Sequence, residues 1–179
     1  MLTKDNAVLM VIDVQGKLAQ LMHETEEMIQ QQGVLIDGCK LLGTPILWLE
    51  QVPDKLGPTT PLLAEKLAPL QPIAKSSFSA CGSETLMQTL NALRKREVIL
   101  CGIETHICVY QTARDLRLHG YGVTVVEDAV SSRTANNKRI GLNMMQQLGV
   151  RTACVESVLF EIQTVAEGDA FKQLTRLVK

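Results

Sequence analysis

The sequence predicts a three-layer α/β/α sandwich built on a doubly wound, mostly parallel β-sheet. Two patterns carry that reading. Short runs that are apolar on both faces alternate along the chain with segments of helical period. The spacing between successive runs leaves room for a crossover helix, which parallel strands require and which covers the faces of the sheet. A third observation bounds the size: 179 residues with 46% hydrophobic and 21% charged side chains suit one substantial core and are few for two, so a single domain over 1–179 is expected.

The elements follow in order. "AVLMVIDV", Ala7 to Val14, reads as a buried first strand, and Thr25 to Leu42 as a long helix. "PILWLE", Pro45 to Glu50, is a second strand, and the weaker run Gln71 to Lys75 a third. Ser83 to Arg96 is helical. "VILCG", Val98 to Gly102, is a fourth strand that passes through a polar turn into a helix over Thr105 to Leu118. Val123 to Val126 and Arg151 to Val155 complete the strands, separated by a helix over Asn136 to Leu148. A last helix spans Asp169 to Val178.

Composition excludes several partners. A net charge of −1 with scattered Lys, Arg, Asp and Glu gives no footprint for nucleic acid or an anionic membrane, and no run approaches transmembrane length. A small-molecule substrate and self-association into a homo-oligomer are expected instead. The start "MLTKDNAVLMVIDVQ" lacks the pattern of a signal peptide. The five cysteines are odd in number, irregularly spaced and without a CxxC pair, which suits free thiols in a cytoplasmic protein. Nucleotide binding is not expected: there is no GxxxxGK[ST], and the glycine pair in "HGYGVTV" precedes a strand instead of following one.

In a doubly wound sheet the ligand crevice lies beyond the carboxyl ends of the strands. Three chemistry-bearing residues fall there: Asp13 after the first strand, Lys75 after the third, and Cys108 in "GIETHICVY" after the fourth. A carboxylate, an ammonium and a thiol in one crevice make a nucleophile. The carboxylate takes the thiol proton, the ammonium stabilises the anion, and free amides at a helix start depress a thiol pKa and face a developing oxyanion. His106 is a poor alternative base, since side chains two apart on a helix diverge by about 200°. His23 and His119 lie in expected helices with no metal-ligand spacing. Gln15, Glu50, Gln51 and Phe78 follow the same strand ends and are candidate substrate contacts. Cys39, Cys101 and Cys154 sit in apolar runs and are expected in the core, while Cys81 in "SFSACGSE" is a second candidate reactive thiol.

With "GIETHICV" and the closing "VVEDAVSSR", this set resembles the isochorismatase-like cysteine hydrolase superfamily, which includes nicotinamidases and N-carbamoylsarcosine amidase. "LEQVPDKLGPTTPLL" and "AKSSFSA" are most similar to its subgroup of isochorismatase domain-containing proteins. The resemblance covers essentially the whole chain. It implies a Rossmann-like hydrolase fold, with Asp13 as general base, Lys75 as its charge partner and Cys108 as the nucleophile on an amide carbonyl. It also implies a cis peptide between Ile103 and Glu104, so that the amides of Glu104 and Cys108 form the oxyanion hole. Two departures narrow the activity. Nicotinamidases carry an Asp-and-His metal site after the second strand, but "EQVPDKLGPTTP" contains no histidine, so no metal or other cofactor is expected. Enterobactin-type isochorismatases lack the cysteine that this chain keeps. The expectation is therefore hydrolysis of a small amide or related C–N bond through a thioester. Two alternatives stand: a non-catalytic or redox-responsive binding scaffold, and isochorismate cleavage, which needs no thiolate.

Overall fold

The computed structural model covers residues 1–179 and contains one six-stranded sheet. Its strands are β1 (Ala7–Ile12), β2 (Ile46–Gln51), β3 (Ile73–Lys75), β4 (Glu97–Ile103), β5 (Gly122–Ser131) and β6 (Arg151–Ala153). They lie in the order β3-β2-β1-β4-β5-β6, and every neighbouring pair is parallel. The chain starts in the middle, winds outward to β3, then crosses back to β4 and winds the other way. The reversal falls between β1 and β4, where such sheets open a crevice at their carboxyl ends.

The pleat divides the core in two. Leu9, Val11, Ile99 and Cys101 point to one face, and Val8, Met10, Val98 and Leu100 to the other, as the two-residue period of a strand requires. The first face is covered by α2 (Thr25–Leu42), α4 (Pro61–Leu67), α8 (Val155–Gln163) and α9 (Gly168–Leu177), which contribute Leu35, Leu63, Leu159 and Leu174. The second is covered by α5 (Glu84–Leu93), α6 (Tyr110–Leu118) and α7 (Ala135–Gln147), which contribute Leu86, Leu116 and Met145. All six residues of β1 are buried, which is why its sequence is apolar without alternation.

Several elements differ from the sequence reading. Short helices α1 (Gly16–Gln20) and α3 (Pro53–Leu56) were not expected, nor were α4 and α8. β5 runs well beyond Val126: after a register shift in which its residues Val126–Ala129 stand opposite the single β4 residue Cys101, it pairs with β4 again at Val130 and Ser131. The helix expected over Thr105 to Leu118 begins as a π-turn, Thr105–Val109, before α6. His23 lies in the turn before α2, not in a helix. Cys154 is exposed, since β6 is a three-residue edge strand and the chain leaves the sheet there; Cys39 and Cys101 are buried as expected.

At Gly102 the backbone of β4 comes too close to β1 for a side chain. The residue's φ of 122° is open to glycine, and a Cβ there would stand 2.1 Å from the Ile12 carbonyl oxygen of β1. Gly102→Ala should therefore destabilise the protein by about 3 kcal/mol or more, read as a lowered urea midpoint. A loss below about 1 kcal/mol would show that β1 and β4 have slack at this position.

Candidate active site

The chain just past β1 turns sharply: Asp13 adopts a left-handed φ of 55°, a conformation that the short polar side chains Asp and Asn tolerate best after glycine. The turn aims its carboxylate under the neighbouring strand ends. There the Lys75 Nζ, at the end of β3, donates to Asp13 Oδ2 at 2.6 Å. It also donates to Gln51 Oε1 at 2.5 Å, with the carbonyl oxygens of Ser77 and Phe78 at 3.1 and 3.2 Å. Both members of the ion pair are sealed from solvent, with side-chain exposures of 0% for Lys75 and 2% for Asp13.

Asp13 Oδ1 is buried and has no partner with hydrogen-bond geometry, and the Cys108 thiol lies beside this carboxylate. The structure thus brings Asp13, Lys75 and Cys108 together from three strand ends. Burial raises the Asp13 carboxyl above its ordinary range, against the opposing pull of the Lys75 ammonium. Burial also pushes the Cys108 thiol up to about 12, and the negative charge of Asp13 adds to it. The sequence reading weighed the amides at the helix start, which act the other way; loss of hydration around Cys108 opposes them and favours the protonated thiol. Cys81 is likewise pushed up to about 11 by burial, which weighs against a second reactive thiol there.

The peptide between Ile103 and Glu104 is cis. The Glu104 N–H has no acceptor among the backbone or side-chain hydrogen bonds, and its side chain is held elsewhere, Oε2 accepting from the Arg133 N and Nε at 3.1 Å each. The following π-turn is braced by His106 Nδ1 against Ser132 Oγ at 2.9 Å, so His106 faces away from the thiol.

A cavity of about 100 Å³ opens onto this group. Asp13, Gln51, Glu104 and Cys108 line it with apolar walls from Leu18, Leu56, Phe78, Ile103 and Ile107. Of the four candidate contacts, Gln51 and Phe78 reach the cavity, and Gln15 and Glu50 do not. Gln15 is fully buried and stitches β1 to the loop after β2: its Nε2 donates to the Gln51 and Gly57 carbonyls, and its Oε1 accepts from the Gln51 N. Glu50 Oε1 accepts from the N and Oγ1 of Thr59, whose Oγ1 also accepts from Trp48 Nε1. Both are committed to shaping the loop that carries Leu56. Leu18, Leu56 and Ile107 escaped sequence reasoning because nothing in a leucine or isoleucine distinguishes a cavity wall from a core position. A larger groove of about 500 Å³ between α2, α4 and α9 holds no nucleophile, and its Lys66 and Asp37 pair with one another. No group of three His, Cys, Asp or Glu side chains is placed to hold a metal ion.

Comparison with known proteins decides the family. The model of the isochorismatase domain matches residues 7–157. The chain belongs to the isochorismatase family. Among similar members of that family, isochorismatase domain-containing protein 2 of Danio rerio is 33% identical over 99% of this chain and 89% of its own length. The secreted isochorismatase effector Isc1 of Phytophthora sojae is 35% identical over 97% of this chain and 85% of its own. The solved structure of a protein described as MAR1 ribonuclease from Caenorhabditis elegans superposes with a TM-score of 0.93 and 35% identity, covering 99% of this chain and 91% of that one. The sandwich fold is thus that of the isochorismatase-like hydrolases.

Proposed function

We propose that this isochorismatase-family protein is a cysteine hydrolase that cleaves a small amide or related C–N bond through a thioester, without a metal. The observation that carries the reading is the convergence of a buried Asp13–Lys75 ion pair and the Cys108 thiol on one cavity. Asp13 accepts the thiol proton as Sγ attacks the carbonyl carbon, and the C–S bond forms. The developing oxyanion is met by the amides of Glu104 and Cys108. Asp13 then passes its proton to the nitrogen as the C–N bond breaks, releasing the amine. Water enters and gives a proton to Asp13 as its oxygen attacks the thioester. The C–S bond breaks, the acid leaves, and the proton returns to sulfur. Lys75 keeps Asp13 ionised between these transfers, offsetting the burial that favours the neutral acid.

The size of the cavity and the net charge of −1 favour a small molecule over a nucleic acid. Five free cysteines suit a reducing cytoplasm. The test is ammonia release from a panel of small amides, with Cys108→Ser as the blank. Turnover by the native protein alone is expected. Equal release from both proteins would end the reading, as would cleavage of isochorismate by Cys108→Ala.

A further inference from the structure

The charges around the cavity restrict what can occupy it. Lys75 is the one cation adjoining Asp13, and its Nζ is already surrounded by the Asp13 carboxylate, the Gln51 amide oxygen and two carbonyls, with no exposed surface on its side chain. Arg133, 54% exposed on its side chain, is engaged with Glu104 and does not line the space. Asp13 is the carboxylate beside the thiol on this cavity and would repel an incoming anion, whereas the Glu104 side chain is turned to Arg133. The remaining walls are hydrocarbon: Leu18, Leu56, Phe78, Ile103 and Ile107. An anionic ligand would have to shed its water here without gaining a counter-ion. The volume of about 100 Å³ is well below that of pockets for drug-sized ligands, which run from roughly 300 Å³ upward.

From this geometry we infer that the site takes a small, uncharged ligand with a short aliphatic body. On the hydrolase reading above, on which this specificity rests, the substrate class is the primary amide of a short-chain carboxylic acid that carries no second carboxylate. Its carbonyl faces the amides of Glu104 and Cys108, and its alkyl group lies against Leu56 and Ile107. Isochorismate, a dicarboxylate, does not fit that description.

Charge selectivity can be measured without turnover. Iodoacetamide and iodoacetate form the same kind of bond, Sγ to carbon with loss of iodide and of the thiol proton to Asp13, and differ chiefly in charge. The native protein is treated with each reagent, and peptide mass spectrometry follows the alkylation of Cys108, with exposed Cys154 as internal reference. The ratio of amide to carboxylate labelling should be at least about tenfold larger at Cys108 than at Cys154. Equal ratios, or no labelling of Cys108 by either reagent, would overturn the inference. In parallel, kcat/KM is compared for butyramide and succinamate. Butyramide should be preferred by a similar or larger factor. Succinamate turned over as well as butyramide would overturn the inference and leave cysteine hydrolysis standing. Charge-selective labelling with no amide turned over would remove the hydrolase reading and leave the neutral-ligand cavity standing.

Discussion

Asp13→Asn should lower kcat for an amide substrate by on the order of 10²–10⁴-fold, the usual contribution of a positioned base. Asn suits the left-handed φ of 55° at this position and keeps an oxygen for Lys75, so the backbone and the cavity survive the change. What it cannot do is accept the proton of a thiol that burial pushes up to about 12. Cys108→Ala should remove the amide activity, and the double variant should be no worse than Cys108→Ala alone, because the two side chains act as one unit. The pH profile gives a second reading of the same step. Ionised Asp13 is the active form, so kcat/KM should fall as pH drops through the Asp13 pKa, at a value above the ordinary carboxylate range because burial raises it. With burial pushing the thiol up to about 12, no alkaline limb is expected near neutrality. An Asp13→Asn variant with near-native kcat, or a profile flat down to the ordinary carboxylate pKa, would remove Asp13 from the mechanism.

The parts of this arrangement that were legible in the sequence are those set by local chemistry. β1 and β4 are buried on both faces, so "AVLMVI" and "VILCGI" announce themselves without alternation, and a parallel sheet then puts Asp13, Lys75 and Cys108 on one rim. The rest depended on tertiary information. α8 was missed because "VESVLFEI" follows directly on the short edge strand β6, and an apolar run there reads as more strand. The π-turn at Thr105–Val109 is a matter of hydrogen-bond register, and no residue in "THICV" specifies it. The upward push of burial on the Cys108 thiol is invisible in the sequence until the walls are in place. Gln15 and Glu50 were found at the right strand ends, but their side chains turn away to hold the loop that supplies Leu56.

The same ion pair that serves the chemistry should dominate the response of the fold to mutation. Lys75→Met strands the Asp13 carboxylate among buried groups, and unfolding by urea at pH 7 should show a loss of about 3–5 kcal/mol, the usual consequence of removing one partner from a buried pair. Asp13→Asn leaves the ammonium with Gln51 Oε1 and the carbonyls of Ser77 and Phe78, so its cost should be smaller. In the double variant Asp13→Asn/Lys75→Met neither charge remains to be solvated, and the loss should fall well short of the sum of the two singles. The pH dependence carries its own sign. Because the folded pKa of Asp13 is raised, the stabilisation linked to its protonation is fully present below the unfolded carboxylate pKa and is lost as pH rises through the folded value. Lys75→Met removes the ammonium that holds this pKa down, so the variant should gain stability relative to the native protein as the pH is lowered from 7. Additive costs at pH 7, or a Lys75→Met deficit that does not shrink in acid, would mean that the two side chains do not depend on one another for their burial.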